Sequence, residues 1–251
     1  FPDSYFSLKK LDAKEAPNYP VENGQSLGTK GAYGAIVDSL KANFQRKAPQ
    51  DMEPNELLRI LEDTMVYVPS STAMQEVCDI SLYDHVKMTA AIAGAMMRYM
   101  RNHGIADYKT FCFTEGKAYR QDETMLFVSG DFSGIQKFIY RVLTKGAMRM
   151  LRGRSFYLQM VLENAIDDLL DQLGLSRANL IYSGGGHFYM LVDHSEETKE
   201  ILRKGFEEIN RKLLSLYGTA LYLAAGWVPV CAAELMDEMA VKENMFRRVN
   251  G

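Results

Sequence analysis

The chemistry open to this chain centres on three consecutive glycines, Gly184, Gly185 and Gly186, set between two short stretches rich in β-branched and aromatic residues, 179–182 and 187–192. Glycine supplies the positive φ of a tight hairpin turn. Lacking a Cβ, it also lets backbone amides approach a phosphate closely, so the tip reads either as a plain surface turn or as one wall of an anion site. Upstream, the apolar run 125–129 ends in Gly130-Asp131 and turns at once into an apolar-periodic segment, which places a carboxylate at the end of a strand. The amides of Phe132, Ser133, Gly134 and Ile135 would then open a helix, where partial positive charge favours phosphate, with Ser133 and Ser183 adding hydroxyls. From Asp131 to Glu163 no acid intervenes, while Lys137, Arg141, Lys145, Arg149, Arg152 and Arg154 all fall inside that interval. Such a field suits a triphosphate or a nucleic-acid backbone, and it is equally what a solvated helix face looks like.

A second candidate lies in an alanine-rich helical stretch, 79–100, whose first turn carries Asp84 and His85. A lone histidine on a buried helix is more often a satisfied core residue than a metal ligand. His103 closes the same helix as a cation suited to its C-terminal dipole, and no role is assigned to His187 or His194. Cys78, Cys112 and Cys231 are far apart and form no CxxC pair, which suggests neither a disulfide framework nor a zinc ribbon.

The elements that must position these groups follow from periodicity. With 251 residues, 47% hydrophobic and 24% charged, the chain is long enough for one large or two modest domains. Its net charge of −3 argues against a protein that coats nucleic acid non-specifically. No apolar run is long enough for a membrane span and no leader is recognisable, so the expected setting is cytoplasmic. The chain opens on Phe1 and stops at Gly251 without a closing element, and reads as a piece of a longer polypeptide. Amphipathic helices are expected over 30–45 and 56–66, with Pro69 breaking the second, and two short aromatic strands over 108–114. Beyond residue 125 the order is strand, helix over 156–173 with Gly146 and Gly153 interrupting its approach, glycine hairpin, helix over 195–217 and strand over 220–230. This is the βαββαβ pattern of a ferredoxin-like domain, an α+β fold in which Asp131 and the glycine turn should meet. Lys137, Arg141, Lys145 and Arg149, spaced four apart, would share a slowly drifting face wherever that segment is helical.

Four motifs carry a family resemblance: Asp79-Ile-Ser-Leu-Tyr-Asp-His-Val-Lys87, Gly130-Asp-Phe-Ser-Gly-Ile-Gln-Lys-Phe-Ile-Tyr140, Leu151-Arg-Gly-Arg-Ser-Phe-Tyr-Leu158 and Ile181-Tyr-Ser-Gly-Gly-Gly-His-Phe188. Together they resemble the large Palm-domain subunit of type III CRISPR effector complexes, subtype III-A. The resemblance implies a helical remnant of a permuted HD domain over 1–106 and a first Palm domain over 107–251. It further implies a parent that makes cyclic oligoadenylates from ATP and cleaves single-stranded DNA when its complex holds a target RNA. The implied cofactors are ATP and divalent metal, magnesium or manganese for synthesis and a transition metal in the HD site. The implied partners are a second Palm of the same parent chain, other type III CRISPR subunits, guide RNA, target RNA and single-stranded DNA, with no membrane.

Two departures shape that expectation. The family's synthesis relies on a Gly-Gly-Asp-Asp hairpin in the second Palm, whose paired carboxylates hold the ions. Here the corresponding positions are Gly186 and His187, and the single acid Asp131 cannot assemble a two-metal site. This Palm is therefore expected to be the non-catalytic, nucleotide-binding half, inactive as a fragment. The stretch around His85 resembles the HD helix bearing the first metal-binding histidine, with Asp84 as its neighbour, but the chain contains no His-Asp pair. The alternative expectation is a docking module that contacts guide RNA and neighbouring CRISPR subunits through Lys145, Arg149, Arg152 and Arg154.

Overall fold

The computed structural model describes residues 4–12, 14, 18–19, 21–22, 29–71, 80–140, 147–237 and 239–250. Contacts divide the chain into two compact units, residues 1–89 and 90–251. In the first unit, two-residue strands β1 (Ser4–Tyr5) and β2 (Val21–Glu22) pair antiparallel. Helix α1 (Lys30–Arg46) starts where the Thr29 hydroxyl accepts from the Ala32 amide, and α2 (Pro54–Met65) starts on a proline whose missing N–H costs nothing there. Both occupy the stretches that periodicity assigns to helices. A bridge between Pro69 and Ser81 leads into α3 (Leu82–Asn102), whose first turn is capped by Ser81. Asp79, whose side-chain type could also cap this helix, lies outside the described residues.

The second unit takes in the rest of α3, which stops at Gly104 (φ 66°). The expected aromatic strands over 108–114 are absent. That stretch is helical instead, with a π-turn over Thr110–Thr114 followed by α4 (Gly116–Tyr119). The Asp107 carboxylate accepts from the Thr110 amide and sets the first turn, and Phe111 drops into the interior beside Tyr119. A capped turn with one buried ring outweighs the β-propensity of the aromatics.

The sheet comprises β3 (Met125–Ser133), β4 (Leu180–Gly184), β5 (His187–Asp193) and β6 (Tyr222–Val230) in the order β4-β5-β3-β6, antiparallel throughout. Between β3 and β4 run α5 (Ile135–Tyr140) and α6 (Ala147–Leu173), and between β5 and β6 runs α7 (Glu196–Tyr217). This is the expected α+β ferredoxin-like arrangement. One sheet face, carrying Leu126, Val128, Phe188, Met190, Val192 and Leu223, packs on Leu162, Ile166, Leu169 and Leu170 of α6 and Leu202, Phe206 and Leu213 of α7. On the other face Met125, Phe127, Leu191 and Val230, at one end of the sheet, meet Ala95 of α3 and Met245. Short helices α8 (Ala232–Leu235) and α9 (Arg247–Asn250) close the chain.

Two local expectations change. Strand β3 runs on to Ser133 because residues 131–133 still pair with residues 222–224 of β6. Gly153 lies inside α6, which begins at Ala147 instead of Phe156. A mid-helix glycine costs only about 1 kcal/mol, and Arg154 ties this turn to α5 by donating to the Phe138 carbonyl at 2.7 Å. Of the basic residues spaced four apart, Lys137 sits on α5 and Arg149 on α6, while Arg141 and Lys145 lie outside the described residues. Among the described residues no helix is long and apolar enough to cross a membrane.

Candidate functional site

At the opposite end of the sheet the glycine hairpin meets the end of β3. Gly184 pairs with His187, leaving a two-residue turn of Gly185 (φ 64°) and Gly186 (φ 93°), the geometry a twisted hairpin requires. The turn is fixed from β3, since the Phe132 amide donates to the Gly186 carbonyl at 2.9 Å. At Gly134 (φ 90°) a Cβ would stand 2.2 Å from the Ala220 carbonyl oxygen, so only glycine allows the exit from β3 into α5.

Asp131 and the hairpin do come together. Asp131 is the cross-strand partner of His187, and its Oδ1 lies 3.5 Å from His187 Nδ1. Behind this pair His187 Nε2 is 3.3 Å from Ser129 Oγ, and Ser129 donates to Asn250 Oδ1 at 3.1 Å. Asn250 in turn donates to the Tyr189 hydroxyl at 2.9 Å, and Tyr189 stacks on Phe127. Ser133 and Gly134 are exposed at the same end, and Lys137 is exposed on α5.

Other expected members are directed elsewhere. Phe132 cannot offer its amide to a phosphate, because the sheet already uses it, and its ring is in the core. Ile135 packs against that core too. Of the amides over 132–135 drawn as a helix-terminus cradle, that of Phe132 is taken by the hairpin, and Ile135 is the first residue of α5. Ser183 faces α6, donating to Glu163 Oε1 at 2.6 Å and accepting from Gln159. Burial alone would raise the Glu163 carboxyl, but bonds from Ser183, Arg177 and Gln159 outweigh it and hold the group below its ordinary value. Arg154 is used inside the fold, bonding the Phe138 carbonyl and lying over the Phe138 ring. Arg149 and Arg152 are exposed on α6, and Lys145 lies outside the described residues.

In the first unit, Asp84 and His85 are both exposed, so His85 is not a core histidine. The Asp84 carboxylate accepts from the Ser81 hydroxyl at 2.8 Å while the Asp84 amide donates back to Ser81, a helix cap. Among the described residues no group of three or more His, Cys, Asp or Glu side chains could hold a metal ion. Two such residues would need further ligands from elsewhere.

Sequence reasoning assigned nothing to His187, Ser129 or Asn250. Register carries the first two: Ser129 precedes Asp131 by two residues and so shares its face, and His187 is its cross-strand neighbour. Nothing local marks Asn250.

The antiparallel four-stranded sheet with its helices and glycine hairpin defines a ferredoxin-like α+β domain whose hairpin carries no paired acids. The chain belongs to the Csm1 subunit domain B family, which it matches over residues 124–251. It is 40% identical over 231 residues to the CRISPR system single-strand-specific deoxyribonuclease Cas10/Csm1 (subtype III-A) of Mycobacterium tuberculosis, covering 92% of this chain and 28% of that protein. It superposes with a TM-score of 0.81 and 30% identity on Csm1 in a crystal structure of a Csm1-Csm4 cassette in complex with AMPPNP, covering 99% of this chain and 32% of that one. A second such cassette, in complex with cA4, gives a TM-score of 0.79 at 29% identity, covering 99% and 33%. The chain thus spans about a third or less of the proteins it matches.

Proposed function

We propose that this chain is the ATP-binding, non-catalytic Palm, with the adjoining end of an HD-like domain, of the large subunit of a type III-A CRISPR interference complex serving antiviral defence. Residues 1–106 would form the HD-like part and 107–251 the Palm. The whole subunit makes cyclic oligoadenylates from ATP and cleaves single-stranded DNA, both when target RNA is bound. It works in the cytoplasm with guide RNA and other type III subunits, of which Csm4 in the related cassettes is an instance. The observation that carries this reading is the intact hairpin turn at Gly185 and Gly186, facing Asp131 but bearing His187 where a metal-binding acid is needed. A second Palm must supply the acids that hold magnesium or manganese, while this one offers the open sheet end around Asp131, Ser133, Gly134, Lys137 and Gly184–Gly186. A transition metal in the HD centre would draw on His85, with Asp84 beside it, together with ligands from outside the described residues.

Calorimetry with AMPPNP on the assembled complex tests the reading. Wild type should bind two nucleotides and Gly185→Val one, because a side chain there meets no neighbour yet is strained at φ 64°. Two-site binding unchanged in the variant would show that the hairpin is only a turn. A second reading, docking onto guide RNA and neighbouring subunits, is favoured by the exposure of Arg149 and Arg152. Loss of assembly with intact ATP binding in Arg149→Glu/Arg152→Glu would support it, whereas loss of ATP binding in an intact complex would place these arginines at the triphosphate.

A further inference from the structure

We infer that the groove between α6 and α7 seats a helix of a partner protein, acidic in its first turn and basic in its last. The inference rests on the docking reading and gives it a surface and a class of partner. The groove holds about 740 Å³, and its lining includes Met160, Val161, Ile209, Leu213 and Leu216. Leu162, Ile166, Leu169 and Leu170 turn the inner side of α6 to the sheet. At 100° per residue, Phe156 and Met160 point toward the opposite side, where the core cannot use them. They are 68% and 51% exposed, and Leu216 across the groove is 69% exposed. Large apolar side chains gathered on a surface and bounded by charge mark a place where another molecule sits.

The charges along α6 indicate what that molecule is. Arg149 and Arg152, exposed before the apolar stretch, make no ion pair among the described residues. Beyond that stretch, Glu163 and Asp167 are each held by Arg177 at 2.7 Å, and Lys212, which lies near Asp168, is bonded to Glu208 at 3.0 Å. Among the described residues Asp168 accepts only a long 3.4 Å bond from Asn164, and the Asp171 carboxylate accepts none. The order is thus free cations, apolar side chains, free acids, over about 30 Å of helix. A helix lying along it with acids opposite the arginines and bases opposite Asp168 and Asp171 is complementary at both ends. Run parallel to α6, it also carries its charges where its own dipole favours them. Its apolar face would fill the valley between two helices by ridges-into-grooves packing. A nucleic-acid strand fits worse, since its phosphates would meet Asp168 and Asp171, and Met160 and Leu216 offer no ring on which a base stacks.

The experiment places Met160→Cys in the full parent protein and follows its alkylation by a maleimide, read by peptide mass spectrometry, in the free parent and in the assembled complex. The cysteine should react readily in the free parent and roughly tenfold more slowly in the complex. A photo-reactive benzophenone side chain in place of Phe156 should cross-link, in the complex, to another protein subunit, at a segment with helical apolar spacing and acids toward its N-terminal end. Equal reactivity in the two states overturns the inference. So does protection already present in the free parent, where the parent's own chain would be the cover, and so does a cross-link to RNA. Met160→Glu/Leu216→Glu changes two exposed side chains, so its melting temperature should stay close to that of wild type while assembly weakens roughly tenfold. Asp168→Lys should weaken assembly less, by roughly two- to threefold. Assembly unchanged in the double variant overturns the inference. Loss of nucleotide binding with intact assembly in Arg149→Glu/Arg152→Glu would instead sink the docking reading beneath it.

Discussion

At one end of the β3–β5 ladder Asp193, paired with Met125, has no exposed surface; at the other, Asp131, paired with His187, keeps about half of its side chain in solvent. Asp193 is saturated with donors: Arg98 Nε at 2.8 Å, Ser195 Oγ at 2.6 Å, Thr198 Oγ1 at 2.7 Å and Asn102 Nδ2 at 3.3 Å. Asp131 has only His187 Nδ1, at 3.5 Å, near its carboxylate among the described side chains. The same residue type on one sheet thus serves two ends, one closed by α3 and α7 as a structural staple, the other left with unmet acceptor capacity. Where a carboxylate finds its donors within the chain it holds the fold, and where it does not it is available to a ligand.

The sharpest way to break this contrast is Asp193→Ala, which strands the Arg98 guanidinium, 8% exposed, without its counter-charge. Loss of one partner of a buried pair costs about 3–5 kcal/mol, readable as a fall in the denaturation midpoint. Acid should sharpen the same point. Burial would raise the Asp193 carboxyl, but bonds from Ser195, Arg98 and Thr198 prevail and hold it below its ordinary value. A lowered folded value means its stabilisation is complete above the ordinary carboxylate range of about 4 and is lost as pH falls through the folded value. Stability of Asp193→Asn should accordingly vary less across that acid range than wild type.

Gly134→Ala comes next, since it meets both a carbonyl oxygen and a positive φ. A loss of roughly 1–3 kcal/mol is expected in a thermal melt, together with weakened nucleotide binding, because the exit from β3 must shift. Ser183→Ala should cost about 1 kcal/mol and leave nucleotide affinity unchanged, as its hydroxyl serves α6. The smallest effect on stability belongs to Asp131→Ala, within about 0.5 kcal/mol, despite its expected effect on ligand binding. A destabilisation comparable with that of Asp193→Ala would erase the distinction between the two ends.

Much of this was legible in the sequence. The helices of both units follow from apolar spacing, and the sheet order from the βαββαβ succession. The meeting of Asp131 with the glycine turn follows from the same topology. Ser183 was not legible, and the reason is local. A bulge between Leu180 and Tyr182 reverses the strand's alternation, so a residue that simple period-two counting places beside Asp131 faces α6. His187 escaped because a cross-strand pair is fixed by register, which residue types alone do not state. The helical turn over Thr110–Thr114 was hidden by aromatics whose strand preference yields to the Asp107 cap.

The two outermost strands show how this sheet ends. Strand β4 carries the bulge, and β6 carries Pro229, which has no amide hydrogen and whose carbonyl accepts from Arg248 at 2.6 Å. Either irregularity spoils the row of free backbone groups that an added strand would need. Fibre-like edge-to-edge growth of the sheet is thereby discouraged on both sides, and a neighbour joining this domain meets its faces and helices more readily than its margins.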